Sequence, residues 1–257
     1  METAPGPWID ALRSSHDALQ ALVEPLDVNE LQRPSYASEW SIAQVLSHLG
    51  SQAEIFNLFL EAGLSGQEPP GRETFAPIWD AWNAKNPAAQ AADALRVDET
   101  GVARFESLGA EAREELHLAM FGMELDTTGL ARMRLGEHAI HTWDIAVALD
   151  PTATVAPGAV DLLIDALDGL AARSGRPEGR TGRVSVSTTD PERHFRLEFT
   201  DKVALVACEP DETAPHLRLP AEAFVRLVYG RLDPDHTSTV ETRGVDLSEL
   251  REIFPGL

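Results

Sequence analysis

The chain has 257 residues, 43% of them hydrophobic and 25% charged, with 42 acidic against 21 basic side chains and a net charge of −21. This composition supports an ordinary globular core. So negative a surface repels phosphate backbones and anionic lipid, which makes nucleic acid and membrane surfaces poor partners, and an anionic substrate would need a local cluster of arginines. Residues 1–15, broken by Pro5 and Pro7, hold no apolar run of signal-peptide length, and nowhere do 18 apolar residues run together. A cytoplasmic protein without a membrane span is therefore expected. The single cysteine, Cys208, allows no internal disulfide and fits a reducing compartment. Its flank, Val203–Ala207, reads as a buried strand, with Cys208 as a small core residue.

In chain order, Trp8, Leu12, Leu19, Leu22 and Val23 recur at helical spacing, and Pro25 closes the segment. A second helix begins near Ser38 or Ser41, carries Ile42, Val45, Leu46, Leu49, Phe56 and Leu60, and ends near Gly63. Residues 66–71 are a loop, followed by a helical stretch around Ile78, Trp79 and Trp82. Asn86-Pro87 supplies a cap and first turn for an Ala-rich helix reaching about Leu108. Another long helix spans 128–149, with Leu130, Met133, Ile140, Ile145 and Leu149 at its period, and one more spans 159–172. Four long segments of this kind make a helix bundle the economical architecture.

The texture changes after Gly175. Val184, Val186 and Thr188 alternate on one strand face, and Phe195, Leu197 and Phe199 on another. Residues 203–207, 217–219 and 237–242 are further strands, while 220–229 and 247–253 read as helices. The expected fold is α+β in two domains: a helical bundle over 1–175 and a small α+β domain over 176–257.

The string with most chemistry is Met133-Arg134-Leu135-Gly136-Glu137-His138-Ala139-Ile140-His141-Thr142-Trp143-Asp144. Glu137 and His141, four apart, share one helix face and can chelate a divalent ion. Arg134 and Asp144 extend that stripe, where Asp144 could orient an imidazole and Arg134 pair with an acid. His48, among the apolar residues of Val45-Leu46-Ser47-His48-Leu49, is the best third ligand. Two imidazoles and a carboxylate favour zinc, with nickel, cobalt and iron(II) as alternatives. Three protein ligands leave a position open, the pattern of a catalytic zinc. His138 lies about 100° round the helix from Glu137 and reads as a surface or supporting residue, and His16 as partly exposed. Trp40, Trp79, Trp82 and Trp143 read as core, with Trp143 closest to the metal helix.

Two stretches resemble the mycothiol-dependent maleylpyruvate isomerase family, part of the DinB-like group of helical metalloproteins. They are Glu39-Trp40-Ser41-Ile42-Ala43-Gln44-Val45-Leu46-Ser47-His48-Leu49 and Glu137-His138-Ala139-Ile140-His141-Thr142-Trp143-Asp144. The resemblance implies a DinB-like four-helix bundle followed by a smaller α+β domain, with zinc on His48, Glu137 and His141. Gly230-Arg231 is similar to a Gly-Arg near the end of the family's second domain, making Arg231 a candidate for binding substrate or thiol, beside a purely structural ion-pair role. Mycothiol is then the implied cosubstrate, held as a zinc-bound thiolate, since a free thiol with a pKa of roughly 8.5 is mostly protonated at neutral pH. Such a thiolate serves either S-transfer to an electrophilic small molecule or cis–trans isomerisation of maleylpyruvate type. The charge balance favours the transferase, because a dianion would need arginines such as Arg72, Arg134 and Arg231 gathered round it. A water-activating hydrolase and a non-catalytic metal-binding module stay open beside these.

Overall fold

A computed structural model describes residues 4–37, 39–211, 213–237 and 240–256. The apolar spacing of the first half becomes helices α1 (Gly6–Val23), α2 (Val28–Leu31), α3 (Ile42–Ser65), α4 (Phe75–Asn83), α5 (Pro87–Glu106) and α6 (Ala110–Glu115). A hairpin of β1 (His117–Met120) and β2 (Met123–Asp126) then leads into α7 (Thr127–Leu149).

Local chemistry sets the ends of these helices. The Ser41 side chain accepts from Gln44 N while the Gln44 side chain accepts from Ser41 N, a reciprocal cap that starts α3. Ser38, the other expected start, lies outside the described residues. Asn86 caps α5 by accepting from Ala89 N, with Pro87 in the first turn. α3 runs through Gly63 instead of ending there. Inside the helix, a Cβ at Gly63 would stand 2.6 Å from Leu116 Cδ1, so that side chain packs close to the backbone there.

Four long helices form the expected bundle: α3 packs on α5 and α7, and α1 packs on the same two. Leu12, Leu19, Leu46, Leu49, Leu130 and Leu135 fill the interior. The β1–β2 hairpin was not legible from periodicity, since each strand is four residues long. Its turn, Phe121-Gly122, has φ of 53° and 81°, the two positive values that a two-residue hairpin turn requires.

The chain divides into two compact units, Met1–Ala153 and Thr154–Leu257. The boundary thus falls just after α7 and not at residue 175. The stretch 159–172, expected as one helix of the bundle, is α8 (Pro157–Leu163), a 3-10 turn (Ile164–Ala166) and α9 (Leu167–Ser174). Ala166, with φ −124° and ψ 15°, breaks the helical run. The later change of texture at Gly175 marks where the sheet begins.

In the second unit, β3 (Gly182–Thr189), β4 (Arg193–Phe199), β5 (Val203–Ala207), β6 (His216–Pro220) and β7 (Glu241–Arg243) form one sheet in the order β5-β4-β3-β6-β7. β3, β4 and β5 run antiparallel, β6 lies parallel to β3, and β7 is antiparallel to β6. Val184 pairs with Leu197 and Val186 with Phe195, so the apolar sets read from the sequence share one buried face. α9 covers β5, and α10 (Ala221–Val228) packs on β6 and β3. α11 (Leu247–Ile253) follows. Of the strand expected over 237–242, residues 241–242 belong to β7, Thr237 and Val240 lie outside any strand, and residues 238–239 are outside the described set. β5 is buried only at alternate positions, and Cys208 beyond it is half-buried instead of core. Among the described residues no helix is long and apolar enough to cross a membrane.

Candidate metal centre

α3 and α7 pack against each other in the first unit. One turn of α7 stacks Glu137 beneath His141, and His48 on α3 faces both. His48 Nε2 is 3.5 Å from Glu137 Oε2, and His141 Nε2 is 3.7 Å from that same oxygen. The two imidazole rings sit 4.6 Å apart, edge to face. One ligand atom from each of the three residues lies within 4.8 Å of the others.

An ion held at about 2.0–2.1 Å by nitrogen and oxygen in a tetrahedron sets its ligand atoms about 3.3 Å apart. Good N–H···O bonds are shorter, near 2.9 Å. The His48–Glu137–His141 spacing is compatible with a ligand set as well as with a long hydrogen bond between His48 and Glu137, and the donor chemistry suits a divalent transition metal.

The surroundings prepare the donors. Asp144 Oδ2 accepts from His141 Nδ1 at 2.9 Å and is fully buried, which fixes the tautomer and leaves Nε2 for the cluster. Desolvation, with the neighbouring His141, lowers the His48 pKa against the opposing pull of the Glu137 hydrogen bond. Burial works to raise the Glu137 pKa, but the His48 hydrogen bond and the charges of His141, His48 and Arg134 outweigh it and hold the group below its usual value. A neutral imidazole and an ionised carboxylate are the forms that bind metal. Trp40 lies over both rings, 5.2 Å from His48 and 6.3 Å from His141, near-parallel to the latter.

Of the residues singled out from sequence, Asp144 stands where an orienting residue belongs. Arg134 points away from the cluster, donating to Asp98 Oδ1 at 2.7 Å and to Leu49 O at 3.2 Å with 3% of its surface exposed. Arg231 belongs to the second unit, where it donates to Tyr229 O. Gly230 before it has φ +71°, and a Cβ there would stand 2.3 Å from Gly256 N. Trp143 is core, donating to Ala153 O and packed on Tyr36, and Trp82 is core as well. Trp40 and Trp79, also expected in the core, are 37% and 44% exposed.

A second buried group lies behind α7. His138 and His16, read as surface and partly exposed, are both buried, and their rings converge on Asp98, which sequence reasoning had missed. His16 Nδ1 is 2.8 Å and His138 Nε2 2.9 Å from Asp98 Oδ2, while Ser15 Oγ meets His138 Nδ1 at 2.7 Å. Arg134 supplies a fixed positive charge beside these close contacts; His138 Nε2 makes no well-aligned hydrogen bond, and His16, Asp98 and His138 also lie close enough together to hold a metal ion. The available signal was Asp98 itself, an acid on the apolar stripe of Ala91, Ala94, Val102 and Phe105, where a charge needs a partner.

Family models agree with this division of the chain. The mycothiol maleylpyruvate isomerase N-terminal domain matches residues 12–146, and the C-terminal domain of the same protein type matches 157–248. The chain belongs to the mycothiol maleylpyruvate isomerase family. Its two domain matches meet on either side of the boundary between the compact units. The fold is shared with the crystal structure of the mycothiol-dependent maleylpyruvate isomerase and with that of a histidine-to-alanine mutant of it. Each aligns at TM-score 0.68 with 13% identity, over 94% of this chain and 96% of the other. No curated protein matches the sequence.

Proposed function

We propose that this family member is a metal-dependent enzyme that uses mycothiol as a small thiol cosubstrate for S-transfer to an electrophilic small molecule. The observation that carries the reading is the ligand-like spacing of His48, Glu137 and His141. A zinc ion on these residues would supply Lewis acidity that keeps a bound thiol ionised at neutral pH.

The remaining roles belong to the chain. Asp144 holds the His141 Nδ1 proton and so aims Nε2. Glu137 contributes the negative charge of the ligand set. Trp40 covers one side of the two imidazoles and limits water there. Among the described residues no fourth protein side chain joins the cluster, which supports catalysis over a closed structural site. The nucleophile comes from outside, since the single cysteine, Cys208, is not part of the cluster. Arg231 is proposed to meet substrate or thiol, and the protein to act in the cytoplasm.

Isomerisation of maleylpyruvate type is the second reading, favoured by the family match; the net charge of −21 favours transfer. A metal-binding module without activity is the third. Zinc-loaded protein incubated with mycothiol and a panel of electrophiles separates them. Thiol consumed in proportion to substrate means transfer, and substrate rearranged with thiol returned means isomerisation. No turnover, with metal bound, leaves the inactive module.

A further inference from the structure

The metal centre borders a cavity of about 570 Å³ in the first unit, lined by Trp40, His48 and Trp79 with the neutral polar side chains of Gln44, Gln52 and Asn83 among the rest. That volume suits a small organic ligand. Trp40 and Trp79 leave 37% and 44% of their surfaces in water. Trp40 is fixed against the ligand imidazoles. Trp79 is backed by Phe75 at 6.0 Å, which in turn packs on Phe59 and Phe121. Two braced indoles therefore present apolar surface to the space beside His48.

The electrostatics of this wall are equally specific. No Lys or Arg is among the described residues lining the cavity. Arg134, whose charge reaches His48 and Glu137, is buried and held by Asp98. A dicarboxylate entering here would lose hydration and meet no lysine or arginine among the described lining residues, only the charge of a metal held at the neighbouring ligand set. Asn83 Oδ1 accepts from Ser47, which leaves its amide hydrogens for an oxygen acceptor on a ligand.

We infer that the electrophile is an uncharged, flat, electron-poor aromatic compound that lies against Trp79 and Trp40 with its polar oxygens toward the amides. Its chemistry rests on the S-transfer reading, whereas its binding does not. In the transfer step a C–S bond forms at the ring carbon bearing a halide. The carbon–halogen bond breaks, the electron pair leaves with the halide, and the thiol proton passes to solvent.

Calorimetric titration of the zinc-loaded protein without thiol tests the inference, using 1,3-dinitrobenzene as a neutral, unreactive probe and maleate as a dianionic one. The expected result is a dinitrobenzene Kd below about 1 mM, with maleate at least about tenfold weaker. Trp79→Ala should weaken dinitrobenzene about tenfold and Trp79→Phe by less than about threefold, since stacking survives the smaller ring. Zinc content of both variants, measured on the same samples, should match wild type. Maleate binding as tightly as dinitrobenzene, or an unchanged Kd in Trp79→Ala, overturns the assignment. If the binding pattern holds but mycothiol is not transferred to 1-chloro-2,4-dinitrobenzene, the proposed S-transfer fails and the pocket assignment stands.

Discussion

Asp98→Asn keeps the shape of the side chain and removes its charge from a site where His16, Arg134 and His138 converge. Asp98 is 2% exposed, Arg134 3%, His16 2% and His138 1%, so solvent screens little of the loss. Arg134 cannot shed its proton, and without Asp98 its charge is buried and unpaired. Breaking a buried pair in this way costs about 3–5 kcal/mol, which in a unit of this size lowers Tm by roughly 10 °C. Urea unfolding followed by circular dichroism should show the midpoint falling with the slope unchanged. Glu99→Gln is the control: Glu99 also reaches His16 but its side chain is 49% exposed, so less than about 1 kcal/mol should be lost. An Asp98→Asn loss below about 1 kcal/mol would refute the idea that this network holds α7 against α1 and α5.

Asp144→Asn should weaken zinc binding about 10- to 100-fold, as measured by competition with a chromophoric chelator, because the His141 tautomer loses its partner. The His16 pKa is raised: burial lowers it, but the Asp98 hydrogen bond and charge outweigh that. The stabilisation is therefore complete below the unfolded value near 6.5 and lost as pH rises through the higher folded value. Wild-type Tm should fall on going from pH 6.5 to 8.5, and His16→Gln should flatten that slope. Asp98 titrates the other way, its depressed pKa giving stability that is present above about pH 4 and lost on further acidification. Gly50→Ala would place a Cβ 2.2 Å from the buried Trp82 ring, so thermal scans should show a loss of about 1–3 kcal/mol.

The convergence of His48, Glu137 and His141 was legible from a Glu-x-x-x-His spacing that any α-helix converts into one face and a histidine in an apolar stripe, taken together with the family resemblance of both stretches. The four long helices were legible from the spacing of their apolar residues. What failed were judgements about which side of α7 meets solvent. Fifteen of its 23 residues are buried, so its polar residues face partners on every side, and the period of its apolar positions could not place His138, whereas Arg134 pairs with an acid as expected, that acid being Asp98. Trp40 and Trp79 failed in the opposite sense, since aromatic residues read as core when sequence does not reveal a cavity. The domain boundary was placed later because α8 and α9 carry the helical period of the bundle, yet α9 packs on β5 and α8 on α10, a choice made by tertiary contact.

The most direct test is metal content by mass spectrometry on the purified wild type, His48→Ala and His141→Ala. The account predicts about one zinc per wild-type chain and loss of most of it in each variant, with folding retained. A wild type that purifies without metal and takes none up on addition, or variants that keep it, would contradict the metal centre and the thiol chemistry built on it.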